Sequence, residues 1–252
     1  MRTYEEYHAI LELWERGFNK KQIASLTGIP RGTIIYSIEK FGNLEGLANS
    51  VRAGKERSIE TITEPWTSEH RKHYAYLLAA YLGDGCVSKV RNTFRLRIAC
   101  DSKYPGIIQR LIEAIPYFCP HNSVNVVKIK NSRGVELTCY SNLWIILFPQ
   151  HGSGRKHNRK IALETWQQEI VEEYPVEFLR GLIHTDGSRF EPVIYNRVYS
   201  RYQFTNRSED ILSLFCSTCR QLGISWTRWG PNLVIARRKD VELLDREIGP
   251  KS

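Results

Sequence analysis

Apolar positions in the first forty residues keep the three-and-four spacing of helices. In Tyr4–Arg16 they fall at 7, 10, 11 and 14, which predicts an amphipathic helix that Gly17 terminates. Asn19 suits the N-cap of a second helix over Lys20–Thr27. Gly28-Ile29-Pro30 makes a tight turn, and Arg31–Lys40 forms a third helix ending at Gly42. Ala24 is small where two helices cross, and Ile23, Ile29, Ile34 and Ile38 fall where a trihelical core needs apolar groups. Residues 43–69 are polar, balanced in charge and without sustained period, so they read as a linker between this unit of residues 1–42 and the rest.

From residue 70 the pattern repeats itself. In the first half a helix over His70–Gly83 ends at Asp84-Gly85. Strand-like alternation in Thr93–Ala99, a helix near Pro105–Ala114, more strand over Ser123–Cys139 and a short helix over Ser141–Phe148 follow. In the second half a helix over Val176–Thr185 ends at Asp186-Gly187. A strand-like run over Tyr195–Thr205, a helix over Glu209–Leu222, strands within Ser225–Ala236 and a helix over Lys239–Ile248 follow. Each half is αββαββα by pattern, over residues 70–150 and 176–252, with residues 151–175 between them. Two tandem copies of one supersecondary unit predict a pseudo-twofold α+β fold.

Charge adds a partner. The 252 residues hold 36 basic and 27 acidic side chains, net +9. Residues 1–72 contribute only +1, so the repeated region carries the excess and suits a polyanion such as nucleic acid. The longest apolar runs, such as Leu143–Phe148, are too short to span a bilayer, and six scattered cysteines without a signal peptide suit a reducing interior. The expected location is therefore the cytoplasm, on nucleoid DNA, rather than outside the cell. The CxxC of Cys216 and Cys219 lies in an amphipathic helical pattern with no second ligand pair, so its thiols read as core-facing.

Two segments end this way, LLAAYLGDG at 77–85 and LRGLIHTDG at 179–187. Together with the repeated element order and the connector HGSGRKHNRKIALETW at 151–166, they resemble the LAGLIDADG homing endonucleases of the two-motif, single-chain type. The resemblance covers about residues 70–249. It implies two packed αββαββα subdomains forming a DNA-binding saddle, active as a pseudo-twofold monomer. SLTGIPRGTIIYSI in the first unit similarly resembles a helix-turn-helix, with Arg31, Thr33, Tyr36 and Lys40 as its DNA-facing candidates.

The residue types of the paired motif have physical reasons. Helices packed face to face need small groups at the contact, and Ala79, Ala80 and Gly181 supply them. Each helix then delivers a carboxylate, Asp84 or Asp186, to the shared axis, with Gly85 and Gly187 permitting the exit. Two adjacent carboxylates repel unless a cation lies between them, and Mg2+ suits hard oxygen ligands and phosphate. The metal residues implied are Asp84, Asp186, Gly83 and Thr185, and the reaction is metal-dependent hydrolysis of one phosphodiester in each DNA strand. The family places a basic residue in each half to organise water; Lys130 and Lys239 are the candidates. His184 stands two before Asp186, where family members often carry another acid.

Alternation along the strands sends one face to the helices and the other to DNA. Arg95, Arg97, Lys128, Arg133, Arg197, Arg201, Gln203, Arg228, Arg237 and Arg238 populate strand-like segments as base or phosphate contacts. Arg155, Lys156, Arg159 and Lys160, in the basic run of residues 154–160, suit the phosphate backbone. Met1 and the closing GPKS lack the nucleophile and His-Asn junction of an intein, so an intron-encoded or free-standing enzyme is expected. A LAGLIDADG-derived transcriptional regulator without cleavage, or an intron RNA maturase, uses the same scaffold and basic surface.

Overall fold

The computed structural model describes residues 3–46, 59–130 and 132–251. The chain divides into two compact units, Met1–Pro65 and Trp66–Ser252. Of the expected linker, residues 47–58 lie outside the described residues.

The first unit contains α1 (Tyr4–Glu15), α2 (Lys20–Thr27) and α3 (Arg31–Phe41). Capping chemistry sets the starts of the first two. Thr3 and Glu6 form a reciprocal capping box on α1, and Asn19 and Gln22 form one on α2. Gly28 ends α2 at φ 69°, a left-handed value that favours glycine. Ile10, Ile23, Ile29 and Ile34 form the core, with Trp14, Ala24 and Ile38 packed against it. Four buried isoleucines contribute about 1.5–3 kcal/mol each, the main favourable contribution available to so small a unit.

The second unit is α+β and runs through the same series twice. Its first half is α4 (Ser68–Asp84), β1 (Gly85–Val90), β2 (Thr93–Asp101), α5 (Pro105–Ala114), β3 (Asn125–Lys128), β4 (Gly134–Tyr140) and α6 (Trp144–Leu147). The connector contains α7 (Thr165–Glu173), a helix that the sequence pattern did not predict. The second half is α8 (Pro175–Asp186), β5 (Gly187–Phe190), the short β6 (Val193–Ile194) and β7 (Arg197–Val198), β8 (Arg201–Thr205), α9 (Glu209–Gln221), β9 (Thr227–Trp229), β10 (Asn232–Ile235) and α10 (Arg238–Glu247). Both four-stranded sheets are antiparallel and share one order, β1-β2-β4-β3 and β5-β8-β10-β9. The halves differ at the first hairpin. β1 and β2 turn at Arg91-Asn92, while β5 and β8 are separated by an added hairpin, β6–β7, whose turn residues Tyr195 and Asn196 have positive φ.

Residues 74–82 of α4 are buried in an unbroken run, so the helix is apolar all round and central rather than amphipathic. α8 packs against it through Gly181. A methyl group there would lie 2.5 Å from the Tyr76 carbonyl oxygen and 2.6 Å from the Ala79 Cβ. Only hydrogen fits at that crossing. Helix α7 is anchored to α4 by buried Gln167, whose Nε2 donates to Tyr74 Oη at 2.7 Å and whose Oε1 accepts from Gln150 Nε2 at 2.5 Å. Cys216 and Cys219 lie on α9 as free thiols, Cys219 buried.

Candidate active site and nucleic-acid interface

Helices α4 and α8 end together, each delivering an aspartate into its following glycine. Gly83 faces the other helix: a methyl on it would lie 2.1 Å from Thr185 Oγ1 and 3.2 Å from Asp186 Oδ2. Asp186 therefore reaches across to the end of α4. Burial raises the pKa of both carboxylates. For Asp186, the charge of Asp84 adds to burial and lifts it to about 6, against the hydrogen bond from Asn206 and the charges of Lys156 and Lys251.

Two pockets flank the helix ends. One, of about 520 Å³, is lined by Asp186 and Asn206 together with Gly83, Gly85 and Lys156. The other, of about 430 Å³, is lined by Asp84 and Cys100 together with Thr185 and Lys251. Each pocket thus combines the carboxylate of one half with the helix end of the other and one lysine, Lys156 of the connector or Lys251 of the second half. Lys156 Nζ donates to the carbonyl oxygens of Tyr81 (2.6 Å), Gly83 (2.9 Å) and Gly85 (2.6 Å). Lys251 Nζ donates to the Thr185 carbonyl at 2.8 Å. Burial depresses both ammonium groups, Lys156 to about 8, while the two aspartates partly restore them.

Paired helices ending in Asp-Gly, each opening the same ββαββα series, are the arrangement that the resemblance to the LAGLIDADG family implied. No protein-family model and no curated protein matches the sequence. Among solved structures, the chain is similar to the N-terminal LAGLIDADG domain of WhiA, at 18% identity and a TM-score of 0.46, over 75% of this chain and 88% of that one. It is similar to mesophilic variants of the homing endonuclease I-DmoI at 17% identity and a TM-score of 0.45, over 71% and 96% of the two chains. A structure of I-DmoI in complex with DNA and Mn gives 16% identity and a TM-score of 0.46, over 71% and 97%.

Lys130 is exposed after β3 and Lys239 is exposed in the first turn of α10. The ammonium charges acting on both aspartates are those of Lys156 and Lys251. Lys156 was expected on DNA phosphate, and nothing in its local pattern distinguishes it from its basic neighbours. What selects it is the connector's path: Arg159 Nη1 donates to the Gln150 carbonyl, and Ile161 N donates to Asp210 Oδ2 of α9 at 2.7 Å. His184 also finds its explanation across the interface. Its Nδ1 lies 3.0 Å from Tyr76 Oη of α4, and burial holds its pKa down to about 3, so it is a neutral structural partner.

The halves are not chemically equal. Gly85 pairs with Ile98 and Gly187 with Phe204, so two residues further on Cys100 matches Asn206. Asn206 Nδ2 donates to Asp186 Oδ2 at 2.7 Å.

On the sheets, Leu96, Ile98, Tyr202 and Phe204 turn inward and are buried. Arg95, Arg97, Arg201 and Gln203 therefore share the opposite face of β2 and β8. The Nε atoms of Arg95, Arg97 and Arg201 are buried without a hydrogen-bond partner, although Arg97 also lies 3.6 Å from Glu136. Lys128, Arg133, Arg155, Lys160 and Arg197 are exposed. Arg228 is held by Glu209, Arg238 by Glu242, and Arg237 donates to Ser225 Oγ. In the first unit, Arg31, Tyr36 and Lys40 are exposed and Thr33 half-buried on α3, with Lys40 Nζ 5.2 Å from the Tyr36 ring centre.

Proposed function

We propose that the chain is a site-specific, metal-dependent DNA endonuclease that makes a double-strand break, acting as a pseudo-twofold monomer. The reading rests above all on the two composite pockets, each pairing the carboxylate of one half with the helix end of the other and a lysine. A duplex presents two scissile phosphates, and a site doubled by pseudo-symmetry serves one at each pocket.

The donor set suits Mg2+. Two buried carboxylates of raised pKa favour a shared cation, and the Gly83 and Thr185 carbonyls offer further hard oxygen atoms. Among the described residues no group of three or more His, Cys, Asp or Glu side chains could hold a metal, so the two aspartates and these carbonyls are the donors the reading relies on. Bound metal supplies Lewis-acid activation of water and of the phosphate. The chain's own residues do the rest. Asp84 and Asp186 would hold the cation, and Asn206 orients Asp186. Lys156 Nζ and Lys251 Nζ keep positive charge beside the atoms where a cleaving phosphodiester gathers negative charge. Arg95, Arg97, Arg201 and Gln203 face the duplex, and α3 of the first unit adds contacts through Arg31, Thr33, Tyr36 and Lys40.

The test is a cleavage assay with Mg2+ on DNA carrying the uninterrupted insertion site of the chain's own gene. Asp84→Asn or Asp186→Asn should abolish cutting and leave binding intact. Cleavage that survives both substitutions places the chemistry elsewhere. Binding without cleavage by the unaltered chain identifies a regulator built on the same scaffold, and RNA splicing without DNA cleavage identifies a maturase.

A further inference from the structure

The ammonium of Lys156 has three N–H donors, and each meets a carbonyl oxygen at the end of α4, those of Tyr81, Gly83 and Gly85. The Tyr81 and Gly83 carbonyls lie at the negative end of the helix, where Tyr81 also accepts from the Gly85 N–H, and the Gly85 carbonyl opens β1. Lys251 does the same for α8 through Thr185. The two acceptors correspond: Gly83 immediately precedes Asp84, and Thr185 immediately precedes Asp186. Each lysine also shares its pocket with the aspartate of the opposite half. Cation, carbonyl and carboxylate are thus assembled at two related places, with an ammonium as the cation. The pinned connector holds Lys156 there through Arg159 and Ile161, so its placement does not depend on one free side-chain rotamer.

We propose that Lys156 and Lys251 are built-in substitutes for the divalent cations, occupying the helix-end carbonyls in the DNA-free protein and competing with metal for them. The inference rests on the reading of this site as one for divalent metal. Its consequence is an ordered site: without metal, the ammonium groups balance the buried aspartates and keep the helix ends packed. Metal entry requires each lysine to leave its carbonyls, which frees an ammonium for the incoming phosphate. The lysines are positioning residues in the first state and substrate contacts in the second.

The experiment measures Mn2+ binding to the full chain without DNA, by the loss of the electron-paramagnetic-resonance signal of free Mn2+. Lys156→Met and Lys251→Met remove the competing ammonium and should tighten Mn2+ binding about tenfold or more, the scale of one charge-assisted hydrogen bond. Lys103→Met, which removes a nearby charge that touches no helix-end carbonyl, should leave binding within about twofold. Circular dichroism melts identify variants that fold, and Lys156→Gln replaces Lys156→Met if the latter does not. Unchanged or weaker Mn2+ binding in folded variants at both lysines overturns the proposal, as does equal tightening in Lys103→Met. No Mn2+ binding by any variant overturns the metal reading itself, and this inference with it.

Discussion

Asn206 donates a 2.7 Å hydrogen bond to Asp186, whereas the register places Cys100 at the matching position beside Asp84. An amide stabilises a carboxylate's charged form, and a half-buried thiol such as that of Cys100 is a weak donor. In metal-free protein, Asn206→Ala should therefore raise the Asp186 pKa above its value of about 6, and Cys100→Asn should lower that of Asp84. Carboxyl carbon NMR titration reads both; an Asp186 pKa unmoved by Asn206→Ala removes the claimed inequivalence.

The glycines of the paired helices should tolerate no side chain. Gly181→Ala drives a methyl into the Tyr76 carbonyl and Ala79, and Gly83→Ala drives one into Thr185. Overpacking of this kind costs about 1–3 kcal/mol. A loss of about 2–4 °C in melting temperature per kcal/mol follows for a unit of this size. Gly32→Ala, where a methyl meets nothing within 4 Å, is the control.

His184 makes the protein acid-sensitive. Its pKa is about 3 in the folded state, against 6.5 for an ordinary histidine. As pH falls below 6.5 the unfolded chain takes the proton first, so the stability His184 contributes is full above that pH and is lost progressively down to about 3. His184→Gln should flatten the fall of the urea midpoint between pH 7 and 4.5, chosen as roughly the upper half of that window. An unaltered slope would assign the acid sensitivity to other groups.

The arginines divide by their existing partners. Arg95 and Arg201, whose Nε atoms lack a partner on the strand face turned from the core, should each contribute about one unit to the slope of log affinity against log salt on target DNA. Arg228 is already paired with both oxygens of Glu209 and should contribute less. Arg95→Gln, Arg201→Gln and Arg228→Gln, compared across a salt series, check the ordering.

Much of the architecture was legible because its signals are local. Helix periodicity, the Asn19 cap, the Asp-Gly exits and the strand alternation around Arg95 and Arg201 each act within a few residues, so the sequence alone determined both halves, their order and the two aspartates. Tertiary structure alone decided which partners those aspartates and their neighbours meet. Lys156 differs from its basic neighbours only in where the connector carries it, and His184 meets a tyrosine 108 positions away on the partner helix. The hairpin between β5 and β8 and the helix α7 also escaped the pattern, the first because its strands are two residues each, the second because its helix is held by Gln167 rather than by a wide apolar stripe. Local propensity chooses elements. Packing at the α4–α8 contact chooses the neighbours, because only it brings Asp186 into one pocket with Lys156 and Asp84 into another with Lys251.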